Sequence, residues 1–252
     1  MNASDTVTYV GHGTVLIEVE GTRLLTDPLL RKRVGPLVRH GPAPAAGIAE
    51  NLDAVLISHL HHDHADLASL RLLERGTPLL VPPGSREFFE RHDLHPVTEL
   101  APGRSARVGA LTVSAVEAHH DGGRRRFARE AQAIGFLVRG RRRVYFAGDT
   151  DWFPGMEDLG PELDLALLPV WGWGPTVGSG HLDPAAAARA AAAISPRLAV
   201  PIHWGTFYPL GLDRFRGDRL RLPGREFAAR VSELAPHVAT RVLSPGESTS
   251  LA

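Results

Sequence analysis

Metal-ligating side chains are concentrated in the stretch from Leu56 to Leu67, which reads LISHLHHDHADL. It holds four of the thirteen histidines of this 252-residue chain. Imidazole nitrogens and carboxylate oxygens bind zinc and other transition metals. The apolar run Ala54 to Ile57 leads directly into the stretch, as at the end of a buried strand, where α/β proteins place their chemistry. The pattern predicts a metal site at a strand end.

The spacing within this stretch favours two ions over one. His59 and His61 are two residues apart, so their side chains can point the same way from an extended or turning loop. Asp63 and His64 are adjacent and do not easily share that direction. The economical arrangement places His59 and His61 on one ion and Asp63 and His64 on another, and it requires further ligands from elsewhere in the chain.

Three later apolar runs also end in potential ligands. Each run has the composition of a buried strand, and the polar residue comes where the run stops. Several such coincidences in one chain favour a shared site over isolated surface histidines. The residues concerned are His119 and His120 after Val113–Ala118, Asp149 after Val144–Gly148, and His203 after Leu198–Ile202.

Composition narrows the remaining possibilities. The chain has no cysteine, which excludes disulfides, thiolate ligands and cysteine nucleophiles. Arg plus Lys and Asp plus Glu number 28 each, so no overall field favours nucleic acid. The sequence shows no basic segment followed by an apolar one at its start, and no run near the ~18 apolar residues of a membrane span. We therefore expect a cytoplasmic protein without a transmembrane segment or a nucleic-acid partner.

The alternation of apolar runs predicts two strand-rich halves with helices, in one domain covering residues 1–252. Residues 30–49, rich in Gly, Pro and Arg, are expected to run over the surface, and together with the loop from Trp171 to Gly180 to shape a pocket. Arg124 to Arg126 are expected in a solvated loop. The predicted strands are 6–10, 15–19, 23–26, 54–57, 79–81, 105–118, 133–139, 143–147, 163–170 and 198–202; the predicted helices lie near 65–74, 84–92, 183–193 and 225–234.

Several short motifs resemble the metallo-β-lactamase-fold hydrolases, and within them the branch of N-acyl-phosphatidylethanolamine phospholipase D and L-ascorbate-6-phosphate lactonase. The H-x-H-x-D-H signature at 59–64 is typical of the superfamily, and His-Trp-Gly-Thr-Phe at 203–207 of the branch. The other shared motifs are Tyr9 to Thr14, Leu25 to Pro28, Phe146 to Thr150, Leu167 to Pro169 and His181 to Pro184. Together they span nearly the whole chain.

The resemblance implies an α+β fold, a four-layer αββα sandwich with the metals at the strand ends between two sheets. Transferred by position, it puts His59, His61 and His119 on the first ion, Asp63, His64 and His203 on the second, and Asp149 between them. His120 is the alternative to His119. The family often has tryptophan where His120 stands, so this side of the pocket departs from the pattern.

Asp63 and His181 are the candidates for a catalytic role, His181 mainly because of the resemblance. Asp63 is expected to act mainly as a ligand, with any proton transfer secondary. His181 is expected to contact the substrate oxyanion or leaving group, although it could simply lie beside the helix cap at Asp183. Asp27 could orient a histidine ligand or only shape a turn before Pro28, and His12 could support a ligand or line the pocket.

The function that follows is hydrolysis by two divalent ions, with a metal-bridging hydroxide attacking a phosphodiester, lactone or related ester. Zinc is the first expectation for nitrogen and oxygen ligands, and manganese or iron also fits. The substrate is expected to be a small-molecule or lipid-like ester. The alternatives are an iron-dependent oxygen-using enzyme on the same fold, or a metal-stabilised binding protein without turnover.

Overall fold

The computed structural model describes residues 4–121, 131–159, 162–172 and 178–251. The expected loop at Arg124 to Arg126 and residues 173–177 of the Trp171 to Gly180 loop lie outside these ranges. Strands are numbered in chain order: β1 Thr6–Gly11, β2 Thr14–Val19, β3 Thr22–Thr26, β4 Arg33–Val34, β5 Leu37–Arg39, β6 Ala54–Leu56, β7 Leu79–Val81, β8 Val97–Glu99, β9 Ser105–Val108, β10 Leu111–Glu117, β11 Ile134–Arg139, β12 Arg143–Phe146, β13 Leu165–Pro169, β14 Leu198–Ile202, β15 Phe207–Pro209, β16 Ala239–Thr240 and β17 Ser248–Ser250.

Among the described residues the helices are fewer than the strands, and only two of them are longer than five residues. Within the described ranges none is long and apolar enough to cross a bilayer. The helices are α1 Leu67–Leu70, α2 Arg86–Glu90, α3 Pro184–Ile194, α4 Asp213–Arg216 and α5 Leu222–Leu234, with 3₁₀ turns at Ala46–Ala49, Met156–Leu159 and Gly217–Leu220.

Two helix predictions had different outcomes. The helix expected near 65–74 is a single turn, α1, because three-residue hydrogen bonds, Leu72 N to Ser69 O and Leu73 N to Leu70 O, replace the helical pattern after it. By contrast, α3 closely matches the predicted helix at 183–193. Asp183 caps it by accepting a hydrogen bond from Ala186 N, and Pro184 occupies its first turn.

The strands form two seven-stranded sheets that share one plan. The first sheet has the order β17-β1-β2-β3-β6-β7-β8 and the second β16-β14-β13-β12-β11-β10-β9. In each sheet one half pairs antiparallel, and the half formed by β3, β6, β7 and β8 or by β12, β13, β14 and β16 pairs parallel. The carboxyl ends of the parallel strands therefore meet at one edge of each sheet.

The sheets pack face to face with helices outside, which confirms the predicted αββα sandwich. One buried apolar cluster joins the inner faces, with Val7 and Ile17 from the first sheet and Phe136 and Val138 from the second. A second cluster buries α3 and α5 on the outer face of the second sheet. A third buries Leu70 of α1 and Phe89 of α2 on the outer face of the first sheet. The single-domain assignment stays a prediction.

Residues 30–49 are more ordered than expected for a surface excursion. Strands β4 and β5 pair there, and β5 also pairs with β15, which directly follows the His203 region. This small third sheet is in the order β15-β5-β4. Arg39 of β5 is buried and donates hydrogen bonds to the carbonyl oxygens of Val10 and Leu29. Residues 30–49 thus hold the backbone at Val10, Leu29 and β15, close to the candidate metal ligands.

Candidate metal centre

The predicted ligands gather where parallel strands of both sheets end. Strand β3 leads to Asp27 and β6 to His59 in the first sheet, while β12 leads to Asp149 and β14 to His203 in the second. Facing carboxyl edges in two packed sheets bring residues that are far apart in sequence into one pocket. The strand-end prediction for the site is therefore consistent with the fold.

The first group of potential ligands consists of His59, His61 and His120. One ring nitrogen from each lies within 4.8 Å of the others. His120 Nε2 is 3.2 Å from His61 Nδ1, and the rings of His59 and His120 lie 4.7 Å apart. His59 is fully buried, whereas His61 and His120 are partly exposed. The group offers three nitrogens at the rim of the pocket.

The structure brings His120 into this group, whereas His119, the ligand expected from the resemblance, lies outside it. His119 is paired with Asp151 in an isolated β-bridge, and its backbone N–H donates to Thr150 Oγ1. Its ring turns outward, within 2.8 Å of Glu117 Oε1. Successive side chains of an extended backbone point to opposite sides. With His119 outside, its neighbour faces the pocket.

The second group consists of His12, Asp63, His64 and His203. Their ligand atoms also lie within 4.8 Å of one another. His64 Nε2 is 3.1 Å from His203 Nε2, and Asp63 Oδ2 is 2.8 Å from His12 Nε2. The three histidines are buried, and Asp63 keeps only 14% of its side chain exposed. This group is deeper than the first and contains a carboxylate.

Asp149 lies between the two groups. Its Oδ2 is 3.1 Å from His64 Nε2 and 3.9 Å from His59 Nε2, and its Oδ1 is 3.3 Å from His203 Nε2. Within the described residues, Asp149 Oδ1 and His59 Nε2 are buried without a hydrogen-bond partner. Buried polar atoms are rarely left unpaired. A cation between these atoms would satisfy both, so the donor set fits a metal centre.

Asp27 orients two histidine rings, that of His64 directly and that of His59 through Ser58. Asp27 Oδ2 accepts from His64 Nδ1 at 2.7 Å and from Ser58 Oγ at 2.6 Å. Since the Ser58 hydroxyl gives its only proton to Asp27, it accepts from His59 Nδ1, which is 2.9 Å away. The Nε2 atoms of both histidines are then free to bind metal. Asp27 has the orienting position expected for it.

Backbone carbonyls hold two further histidines in the same way. His203 Nδ1 donates to the carbonyl of Trp171 at 2.5 Å, and His120 Nδ1 donates to that of Gly180 at 2.8 Å. Each ring therefore presents Nε2 to the pocket. Metal-ligating histidines characteristically donate their second ring N–H to such an acceptor. These carbonyls were not foreseen, because a backbone acceptor has no signature in the sequence.

The electrostatics of the site favour metal-binding protonation states for His203, His120 and Asp149. Burial lowers the pKa of His203 to about 3 and that of His120 to about 4, which keeps both rings neutral. Burial alone would raise the pKa of Asp149, but His203 and His64 outweigh it and hold the pKa well below its ordinary value. Neutral imidazoles and ionised carboxylates are the forms that bind metals.

The pocket as a whole favours a positive charge. Burial opposes protonation of His64, yet Asp149, Asp63 and Asp27 together raise its pKa well above the ordinary value. All ion pairs of these carboxylates among the described residues go to histidines. No arginine or lysine among the described residues forms an ion pair with Asp27, Asp63 or Asp149, which suits a site that binds cations.

His181 lies at the edge of this centre. Its Nε2 is 3.5 Å from Asp149 Oδ2, and its ring is 4.6 Å from that of His120. The side chain is 22% exposed, more than that of Asp63 or Asp149. It is therefore close enough to contact a molecule bound beside Asp149. Its expected role in catalysis stays a prediction.

A family model described as beta-lactamase superfamily domain matches residues 22–204. An uncharacterized protein of Mycobacterium bovis is 34% identical, with 80% of this chain and 59% of that protein covered. This chain thus spans about three fifths of the mycobacterial relative's length. A metal-dependent hydrolase of Methanopyrus kandleri is 30% identical, with 96% of this chain and 98% of the relative covered. N-acyl-phosphatidylethanolamine-hydrolyzing phospholipase D 1 of Caenorhabditis elegans is 30% identical, with 82% of this chain and 65% of that enzyme covered.

Solved structures share the architecture at lower identity. A metallo hydrolase from Ignicoccus hospitalis superposes with a TM-score of 0.71 at 22% identity, covering 98% of each chain. A diiron beta-hydroxylase from Streptomyces venezuelae gives a TM-score of 0.74 at 20% identity, with 99% of this chain and 55% of the other covered. These similarities show a shared fold only. The same fold is found in a metallo hydrolase and in a diiron beta-hydroxylase.

Proposed function

We propose that this chain, which belongs to the beta-lactamase superfamily and is a metal-dependent hydrolase, acts at a dinuclear metal centre. The bond it hydrolyses would be that of a phosphodiester, lactone or related ester. The first ion would be held by His59, His61 and His120. The second would be held by Asp63, His64 and His203, with Asp149 between the two. This differs from the sequence-based ligand set at one position, where His120 replaces His119.

One observation supports this proposal most strongly. Asp149 Oδ1 and His59 Nε2 are buried and unpaired among the described residues; His59 belongs to the first group, and Asp149 lies within 4 Å of histidine nitrogens of both groups. The seven proposed ligands exceed the roughly four of a typical zinc site, which favours two ions. Dinuclear hydrolases hold their ions ~3.5–4 Å apart, a spacing that one carboxylate can bridge.

The chemistry supplied by two such ions when bound is a water with a pKa near neutrality and a polarised substrate oxygen. The chain's own residues would contribute position and charge. Asp27 and Ser58 fix the rings of His64 and His59, so these ligands do not have to be ordered during binding. Asp63 acts mainly as a ligand, and any proton transfer by it is secondary.

His181 would act on the substrate and not on a metal. It stands beside Asp149 with part of its side chain exposed, on the accessible side of the centre. From there its Nε2 could donate a hydrogen bond to a developing oxyanion or to the leaving group. Such a contact is typically worth ~10²–10³ in rate.

The substrate class is proposed by analogy. The Caenorhabditis elegans relative is named for the hydrolysis of N-acyl-phosphatidylethanolamine, a phosphodiester lipid. We therefore propose a small-molecule or lipid-like ester for this chain. Zinc is the first candidate for the metal. Manganese or iron fits the same nitrogen and oxygen donors.

The test is metal content followed by turnover. The metal-free protein would be reconstituted with zinc, manganese or iron in turn and offered bis(p-nitrophenyl) phosphate and a panel of lactones. We expect close to two ions per chain and hydrolysis of at least one class. Two ions with no turnover would indicate a metal-stabilised binding protein, and iron-dependent oxygen consumption without hydrolysis would indicate an oxygen-using enzyme.

A further inference from the structure

His12 is held more firmly than a residue that only lines a pocket. Its backbone is left-handed, with φ of 58°, a conformation that costs most residues ~1–2 kcal/mol. Its N–H is 3.0 Å from both Tyr9 Oη and Thr206 Oγ1, and its carbonyl accepts from His203 N at 2.8 Å. These bonds tie the β1–β2 turn to the end of β14.

The preceding glycine makes this backbone position possible. Gly11 has φ of 125°, and a Cβ there would lie 2.6 Å from Thr206 Cγ2 and 3.0 Å from a guanidinium nitrogen of Arg39. Any side chain would separate the turn from Thr206. The close approach is what allows Thr206 to reach the N–H of His12.

The His12 side chain touches two of the proposed second-ion ligands. It is buried, and its Nε2 lies 2.8 Å from Asp63 Oδ2. An ionised carboxylate only accepts, so His12 Nε2–H is the donor. The ring centroids of His12 and His203 are 3.8 Å apart. One residue therefore restrains the Asp63 carboxylate through a hydrogen bond and the His203 ring through packing.

We propose that His12 is the positioning residue of the second ion, an inference that rests on the dinuclear centre proposed above. By donating to Asp63 Oδ2, His12 fixes the carboxylate in one orientation, with this same oxygen 3.8 Å from His64 Nε2 and 4.0 Å from His203 Nε2. Asp63 would then meet the second ion from a fixed position beside both histidines. His12 itself stays outside the coordination sphere, because its Nε2 is committed to Asp63.

Three substitutions separate this role from packing. His12→Asn keeps a residue that tolerates positive φ, but its side chain is too short to reach Asp63. His12→Gly removes the side chain at a backbone position glycine adopts without strain, and it serves if the Asn variant does not fold. His12→Gln keeps a donor of suitable reach. His119→Asn is the matched control, since His119 lies outside both ligand groups.

The experiment is a zinc titration of each metal-free variant, with thermal unfolding to verify folding. For His12→Asn and His12→Gly we expect the second ion to bind ~10–100-fold more weakly, as on loss of an outer-shell partner, with the first ion unaffected. His12→Gln should restore most of this affinity, and His119→Asn should match wild type. In an Asp63→Ala background, His12→Asn should cause little further loss, because the pair acts as a unit.

Three results would overturn the inference or its premise. Wild-type affinity for the second ion in both His12→Asn and His12→Gly would show that His12 does not position the site. A difference between the absorption spectra of cobalt-saturated His12→Asn and cobalt-saturated wild-type protein would identify His12 as a direct ligand. Failure of the wild-type protein to bind a second ion would instead refute the dinuclear function itself.

Discussion

The two ligand groups differ in depth and charge although they share Asp149. The first group, His59, His61 and His120, is made of nitrogens, and two of its rings are partly exposed. The second group has its own carboxylate, Asp63, and its histidines are buried. Charge and burial both strengthen electrostatic attraction to a cation. The second position should therefore bind its ion more tightly.

Their outer partners differ in the same sense. In the second group, Asp27 holds His64 through a charged hydrogen bond and His12 holds Asp63. In the first group, His59 and His120 are held by a hydroxyl and a carbonyl. Hydrogen bonds to ionised groups are about twice as strong as neutral ones. The comparison suggests one ordered, retained ion and one more exchangeable ion at the accessible rim.

The largest effect should come from removing what the groups share. Asp149→Ala takes away the carboxylate between them, so we expect loss of ions from both positions and activity near the uncatalysed level. His61→Ala is the matched comparison, because it should lower the occupancy of the first ion only. Metal analysis of both purified variants checks this. Retention of two ions by Asp149→Ala would contradict the central position of this carboxylate.

His181→Ala should separate turnover from metal binding. The ring lies beside Asp149 but outside the proposed ligand set, so both ions should remain while kcat falls by ~10²–10³. The measurement is steady-state kinetics with metal content determined on the same sample. Unchanged kinetics, or loss of an ion, would refute the proposed role.

Asp63→Asn should act on the second ion alone. An amide oxygen is an uncharged and poorer ligand, so binding of that ion should weaken by at least the ~10–100-fold typical of losing an outer-shell partner. Turnover should fall with it, and the first ion should be retained. Titration against wild type decides the point. Full affinity for two ions with abolished activity would show that Asp63 works as a base.

The smallest effect is expected at His119. Its ring faces outward beside Glu117, and substitutions at such sites change stability by ~0.5 kcal/mol or less. His119→Ala should therefore keep both ions and full turnover, whereas His120→Ala should weaken the first ion. Comparing the two adjacent variants tests the corrected assignment. The reverse pattern would restore His119 as the ligand.

The sequence was sufficient for the main strands and the strand-end location of the site, since apolar runs ending in His or Asp are local patterns. Choosing between His119 and His120 required the direction of alternation, which depends on a bridge to Asp151. The link from His12 to Asp63 spans 51 residues and has no local signal. The small third sheet escaped prediction because its strands are short and its partner β15 is distant.

Anomalous scattering from crystals of the zinc-loaded protein tests the central claim most directly. We expect two peaks on either side of Asp149, ~3.5–4 Å apart as in two-metal hydrolases. One peak should lie among His59, His61 and His120, and the other among Asp63, His64 and His203, with none at His119. A single peak, or two peaks that do not both lie beside Asp149, would contradict the proposed dinuclear centre.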